Sequence, residues 1–168
     1  FEKEILMLVN SSEIALPDYK DNAEAYELEE HARPDEMLMI NGAAIKANAL
    51  LDKLKNALVL DLCCGTGISM EGIIRHPNIS RFVGVDISSQ YLDFAINKFS
   101  KTIFKIEFIQ HDAVTVPLPT NTWHVIILAS AYHHIEDERK LDFLHHVHSL
   151  LHPNGRAFFA ENILPEYE

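Results

Sequence analysis

An acidic residue followed by a short glycine-rich segment is the part of this sequence best suited to ligand binding. Asp61 precedes Gly65, Thr66 and Gly67. Glycine has no Cβ, so the backbone can adopt a positive φ and approach a bound molecule closely, while the N–H groups at the start of a following helix offer donors. The carboxylate before the turn suits a cationic ammonium better than a phosphate. We therefore expect a ligand that carries an amino group.

A dinucleotide is a weaker candidate for this loop. Its fingerprint requires a third glycine, and counting from Gly65 places Met70 at that position. A nicotinamide-dependent oxidoreductase is therefore disfavoured.

The loop lies between a predicted strand and a predicted helix, in a chain where the two kinds of element alternate. This alternation predicts a parallel α/β sheet with helices on both faces and right-handed crossovers. Ligands of such sheets bind beyond the carboxyl ends of the strands. The predicted strands are 57–62, 81–86, 105–109, 123–130 and 156–162, and the helices between them are 68–75, 89–99 and 137–151.

The residues before this core are predicted to form helices. Apolar residues recur every three or four positions over 35–55, which predicts an amphipathic helix. Residues 1–36 are polar and are interrupted by two prolines. We divide the chain into an N-terminal helical cover, 1–55, and a core, 56–168.

The order of the motifs resembles the class I S-adenosylmethionine-dependent methyltransferases. The stretch 58–67 resembles their first motif, with Cys63 in place of the usual first glycine. Because cysteine cannot match glycine at positive φ, we expect an ordinary backbone region at Cys63. The resemblance covers residues 55–162. Its further landmarks, in order, are 83–88, 111–113, 123–130 and 150–156.

This resemblance implies a fold and a cofactor. The fold is a three-layer, Rossmann-like, doubly wound and mainly parallel sheet with strand order 3-2-1-4-5, and the cofactor is S-adenosylmethionine. The sixth and seventh strands of the class have no counterpart in this sequence. We therefore expect either an incomplete domain or a fifth strand whose edge is covered by a further domain or a second copy of the chain.

The resemblance also assigns cofactor contacts to residues at the strand ends. Asp86 would accept hydrogen bonds from the ribose hydroxyls, Ile87 would press on the adenine, and Asp112 with the Ala113 backbone would contact the adenine edge. A helix cap at Asp86 and a turn at Asp112 are the alternatives. The full set of predicted cofactor contacts is Tyr26, Asp61, Cys63, Gly65, Thr66, Gly67, Asp86, Ile87, Asp112, Ala113 and Ala129.

The segment 19–26 resembles a tyrosine-containing element that precedes the core in many small-molecule methyltransferases. There the aromatic side chains help to cover the cofactor. An amphipathic helix that packs Tyr26 and Leu28 against the domain is an equally good interpretation.

His133 and His134, just after the fourth strand, are the catalytic candidates. An imidazole titrates near neutral pH, so either can deprotonate a hydroxyl or an amine; simple packing beneath the cofactor is the alternative. The Asn-Pro-Pro-Tyr tetrapeptide of amino-methylating nucleic-acid enzymes is missing here. Four further histidines within 145–152 share a helix with an apolar core face, so we predict that they are solvated and that there is no metal site.

Composition and charge limit the partners that this chain is expected to bind. The 168 residues carry a formal net charge of −11, which repels phosphate and disfavours nucleic acid. No apolar stretch approaches the ~20 residues that span a bilayer, so we expect no membrane segment. The adjacent Cys63 and Cys64 suit reduced thiols in a cytoplasmic protein.

These observations predict an enzyme: an S-adenosylmethionine-dependent methyltransferase that acts on a small-molecule acceptor. A sulfonium already makes its methyl group electrophilic, so transfer is a direct in-line displacement and the protein contributes mainly positioning and exclusion of water. The alternative is a non-catalytic S-adenosylmethionine-binding or regulatory subunit or domain with the same fold.

Overall fold

The structure is a computed structural model that describes residues 6–9, 22–102 and 106–161, with no side-chain description for 6–9. All of its strands belong to one parallel sheet with the order β1-β4-β3-β2-β5-β6. In chain order the elements are β1 (Leu6–Val9), α1 (Ala23–His31), α2 (Pro34–Leu51), β2 (Ala57–Leu62), α3 (Ile68–Glu71), β3 (Ile79–Asp86), α4 (Ser89–Phe99), β4 (Ile106–Gln110), β5 (Trp123–Ala129), a 3₁₀ turn (Tyr132–His134), α5 (Asp137–Leu150) and β6 (Leu151–Ala160).

The core strands β2 to β6 confirm the predicted order 3-2-1-4-5. The strand β1 was not predicted; it extends the sheet by pairing with β4, with Leu6 opposite Glu107. Four apolar residues are too few to show a strand period, so the sequence alone could not identify it. Residues 19–21 of the tyrosine-containing element lie outside the described residues.

The sheet is covered by apolar packing on both faces, as expected for parallel strands. Alternate residues of a strand point to opposite faces, so Val59 and Phe82 belong to one cluster whereas Leu60 and Val83 belong to the other. The first cluster includes buried residues of α2 and α4, and the second includes residues of α5 such as Phe143. The strands are thereby held rigidly, and their carboxyl ends form a fixed edge.

Several predicted boundaries differ from the structure, most of them by one or two residues; α2 ends at Leu51 instead of residue 55, and the largest other differences are in α3 and β6. The helix α3 ends at Glu71 instead of residue 75, because Gly72 ends it and a Cβ at Gly72 would lie 2.7 Å from Cβ of Ala44 on α2. The strand β6 begins at Leu151 instead of 156, and residues 152–155 form an irregularity before pairing resumes. Both differences arise from packing between elements distant in sequence.

The helices that precede the core pack over it and are joined to it by charges. Nζ of Lys98 on α4 forms ion pairs with Glu27 on α1 and, at 2.5 Å, with Glu71 on α3, and it lies 3.5 Å from the carbonyl oxygen of Thr66. Glu27, His31 and Glu71 are close enough to hold a cation, but the Lys98 ammonium already forms an ion pair with each of the two carboxylates. The boundary at residues 55 and 56 falls in the loop between α2 and β2 and stays a prediction.

Candidate active site

The turn after β2 uses three left-handed backbone positions. The φ values are +57° at Cys63, +52° at Gly65 and +81° at Gly67. The expectation of an ordinary backbone region at Cys63 was therefore wrong. The reason is the bonding of the next residue, since the Cys64 amide donates to the carbonyl oxygen of Val85 at 2.9 Å and so bends the chain sharply at the strand end.

Asp61 is completely buried beneath this turn. The Ser69 hydroxyl donates to its Oδ2 at 2.5 Å, whereas Oδ1 has no hydrogen-bond partner among the described residues. Burial raises the pKa of Asp61 to about 7, the nearby charge of Asp86 adds to the rise, and the Ser69 hydrogen bond opposes it. The carboxyl group therefore changes charge near neutral pH and presents one unused acceptor atom.

Asp86 ends β3 and braces the same turn. Its Oδ2 accepts the Gly65 amide at 2.7 Å and its Oδ1 accepts the Ser88 amide at 2.9 Å. Burial raises the pKa of Asp86, and these hydrogen bonds oppose the rise. Ser88, and not Asp86, is the N-cap of α4. A carboxylate oxygen has two lone pairs, so Asp86 retains acceptor capacity for a further ligand.

Asp112 follows β4 and is fixed by two contacts. Its Oδ1 accepts the Val114 amide at 2.8 Å, which is the turn that sequence analysis left as an alternative. Its Oδ2 accepts Nη2 of Arg139 on α5 at 2.5 Å, a partner that the sequence did not indicate. Ala113 is buried beside it. The role of Asp112 at an adenine edge stays a prediction.

A cleft opens between the turn and the cover helices. Its empty volume, which includes open solvent, is about 330 Å³. Its lining comes from three places in the fold: Tyr26, Glu30 and Ile40 of the cover, Cys63 to Thr66 of the turn with Ile68 and Ser69 of α3, and Ala129 and Ser130 at the end of β5. The cleft thus lies at the switch point between β2 and β5.

Tyr26 joins the cover to the turn. Its ring stacks on the buried Tyr91 of α4 at a centroid distance of 5.1 Å, and Tyr91 packs beside Gly65. Burial raises the pKa of the Tyr26 phenol, and the charge of Glu30 adds to the rise. The helix packs Tyr26 on the domain and this tyrosine also lines the cleft, but the expectation that Leu28 packs there was wrong, because Leu28 is 68% exposed.

The predicted catalytic histidines lie in the 3₁₀ turn after β5. Nδ1 of His133 lies 2.5 Å from Oε1 of Glu161, and the ring centroids of His133 and His134 are 3.9 Å apart. Burial lowers the pKa of His134, as does the neighbouring His133. Among the other histidines, His145 and His148 are exposed, whereas His146 is half-buried with a buried Nε2 and His152 stacks on His124 at 4.4 Å. The prediction that all four are solvated was therefore wrong.

The polar atoms around the cleft fit the amino-acid part of S-adenosylmethionine. Three buried oxygen atoms have no hydrogen-bond partner among the described residues: Oδ1 of Asp61, Oγ1 of Thr66 and Oγ of Ser130. Buried polar groups are nearly always paired, so a ligand or a water molecule supplies the partner of each of these atoms. An ammonium group is the chemistry that a buried carboxylate and two hydroxyls would receive.

Several residues around this site were not identified from the sequence. Ser69, Arg139 and Glu161 contact Asp61, Asp112 and His133, respectively. Ser69 lies eight positions after Asp61. The predicted strand–turn–helix unit places the two residues close together, so this contact could have been predicted from the sequence. The other two contacts join separate elements, and Glu161 lay inside a strand predicted to run to residue 162.

Comparisons with known proteins identify the family of this chain. A family model described as "Methyltransferase domain" matches residues 59–155. A ubiquinone biosynthesis O-methyltransferase of Coxiella burnetii is 25% identical over 122 residues, covering 73% of this chain and 50% of that protein. A 2-phytyl-1,4-naphtoquinone methyltransferase of Thermosynechococcus vestitus is 32% identical over 117 residues, covering 69% of this chain and 51% of that protein.

A solved structure shares the fold. An S-adenosylmethionine-dependent methyltransferase from Clostridium acetobutylicum superposes with a TM-score of 0.66 at 22% identity, covering 82% of this chain and 55% of that one. Because the family model spans more than half of the sequence, this chain belongs to the methyltransferase domain family, within the class I methyltransferases whose cofactor is S-adenosylmethionine.

The chain spans about half the length of the curated relatives it matches.

Within residues 22–102 and 106–161, none of the helices combines the length and the apolar character needed to cross a bilayer. The cytoplasmic location stays a prediction.

Proposed function

We propose that this chain binds S-adenosylmethionine and transfers its methyl group to a small-molecule acceptor. The observation that carries this proposal is the buried Asp61, whose Oδ1 has no partner among the described residues and which lies beneath the Gly65–Gly67 turn. An uncompensated buried carboxylate is costly, so a site that keeps one has a cationic ligand to offset the cost.

Different residues bind different parts of the cofactor. Asp61 holds the ammonium group, the turn lets the backbone approach the ligand, and Asp86 and Asp112 with Ile87 and Ala113 hold the adenosine part. The cofactor supplies an electrophilic methyl group. Tyr26 and Ala129 line the cleft and keep water from the reacting atoms.

A quinol-like ring hydroxyl is the acceptor class that we propose. The relatives are named as quinone methyltransferases, and the apolar Ile40 lines the cleft on the cover side. An aromatic ring suits this apolar lining, and a hydroxyl has to lose a proton on methylation, which suits the histidines after β5.

Calorimetry with S-adenosylmethionine, its demethylated product and NAD tests the cofactor. We expect the first two to bind and Asp86→Ala to weaken both by about 1.5–3 kcal/mol, roughly 10- to 150-fold, because hydrogen bonds to a charged group are lost. Asp93→Ala removes an exposed carboxylate of α4 and serves as the control that should leave affinity unchanged. Binding of NAD instead would overturn the proposal.

Proton release on binding tests the role of Asp61 separately. An ammonium beside Asp61 favours its ionised form and lowers the pKa from about 7, so at pH 7 we expect release of about half a proton per complex. Calorimetry in two buffers with different ionisation enthalpies measures this number. A value of zero at pH 7 would show that no cationic group comes close to Asp61.

Turnover separates the catalytic proposal from the non-catalytic alternative. Both bind the cofactor, but only an enzyme produces the demethylated product with an acceptor. A screen of ring diols and quinols that yields no product, with a full-length protein that binds the cofactor, would favour the regulatory alternative.

A further inference from the structure

We propose that Glu161 is a positioning residue that holds His133 as the proton acceptor for the methylated hydroxyl; this inference rests on the proposed function. The two residues come from different elements: Glu161 follows β6 directly, and His133 lies in the 3₁₀ turn after β5. Because β5 and β6 are parallel neighbours, their carboxyl ends meet at the edge that borders the cleft.

The Glu161 carboxylate is bound at both oxygens. Its Oε2 accepts the backbone amide of Tyr132 at 2.7 Å, and its Oε1 lies 2.5 Å from Nδ1 of His133. The Glu161 side chain is 13% exposed, whereas that of His133 is 51% exposed. The carboxylate is therefore held within the protein, and the imidazole that it orients reaches solvent.

This geometry determines which imidazole nitrogen carries the proton. A carboxylate only accepts hydrogen bonds, so the nitrogen that faces Glu161 has to be an N–H. Neutral His133 then has its proton on Nδ1 and a free lone pair on Nε2. Without such a partner the position of the proton is not determined, and a base with the wrong tautomer cannot take a proton.

His133 lies outside the lining of the cleft but follows it closely in the chain. The chain leaves the cleft at Ala129 and Ser130 and reaches His133 three residues later. In the proposed step the acceptor hydroxyl gives its proton to Nε2 of His133. Its oxygen forms the new bond to the methyl carbon, and the electron pair of the broken carbon–sulfur bond stays on sulfur.

The tautomer can be measured without knowing the acceptor. In the protein labelled with ¹⁵N-histidine, long-range ¹H–¹⁵N correlation at pH 8 distinguishes a protonated Nδ1 from a protonated Nε2, and His133→Asn identifies the signals. We expect the wild type to carry the proton on Nδ1. In Glu161→Gln the amide oxygen should stay with the Tyr132 N–H, so the NH₂ group faces Nδ1 and the proton moves to Nε2.

Glu138→Gln makes the same charge change at an exposed position of α5 and should leave the tautomer as in the wild type. Retained dispersion of the amide signals of Glu161→Gln outside this turn shows that the variant remains folded. A wild type with the proton on Nε2, or a Glu161→Gln variant without a change of tautomer, would overturn the assignment. Calorimetry with S-adenosylmethionine on the same samples keeps the two proposals apart, because failure to bind would overturn the proposed function and not the tautomer.

Discussion

Replacing Asp61 by asparagine should make the cofactor-free protein more stable and at the same time weaken cofactor binding. The side chains have the same shape, and asparagine keeps an oxygen to accept the Ser69 hydroxyl. The folded carboxyl group keeps its proton up to about pH 7, whereas in the unfolded chain it ionises near the ordinary value of 3.8. The stability that Asp61 contributes is therefore fully present below about pH 4 and is lost as the pH rises towards 7.

The asparagine variant does not lose stability in this way as the pH rises, because its side chain does not ionise. At pH 8 we expect its free energy of unfolding to exceed that of the wild type by about 1–3 kcal/mol, and the difference should shrink as the pH is lowered to 5. Urea unfolding at the two pH values measures this difference. Affinity for S-adenosylmethionine should fall by about 2–5 kcal/mol, or ~30- to 4,000-fold, because a buried charge pair loses one partner.

Asp93→Asn, at an exposed position of α4, is the matched control and should change neither quantity. If Asp61→Asn proved less stable than the wild type at pH 8, the buried carboxylate would be compensated by a group not identified here. If it bound the cofactor with wild-type affinity, the ammonium would have to lie elsewhere.

Replacing Gly67 by alanine should destabilise the protein by about 2–4 kcal/mol, since a strained φ and a steric overlap add together. The φ of Gly67 is +81°, and a Cβ there would lie 2.5 Å from Cε2 of Phe99 and 3.1 Å from Sδ of Met70. Both side chains are buried, so neither has free space into which to move. Urea unfolding of the two proteins measures the loss.

Gly42→Ala is the matched control for this substitution. Gly42 lies within α2, and a Cβ there would meet nothing within 4 Å. Alanine is the better helix former, so we expect a gain of about 0.5–1 kcal/mol. Equal effects of the two substitutions would show that the turn does not require a glycine at residue 67.

The order of the core strands could be predicted because each strand is a continuous apolar run bounded by turn residues. Such a run needs only local information, and parallel pairing with right-handed crossovers then restricts the topology. The predicted limits of β2 and α4 agree with the structure for the same reason. The strand β1 was not predicted, because a run of four residues forms a strand here only by pairing with β4.

The residues of the candidate site also fall into two groups, those indicated by local sequence and those that depend on long-range contacts. Asp61, the glycines and Asp86 belong to short motifs with a fixed spacing, so they could be identified from the sequence. Arg139 and Glu161 contact their partners across 27 and 28 residues, respectively. Such contacts depend on how helices and strand ends meet. The positive φ of Cys63 likewise follows from a hydrogen bond to the neighbouring strand, which overrides the residue's own preference.

The ammonium group of Lys98 contacts the cover helix α1, the helix α3 and the backbone of the glycine-rich turn at once. One side chain thus connects the position of the cover to the shape of the turn. We expect a ligand that moves either of them to affect the other, and any coupling between two ligands bound there would be equal in both directions.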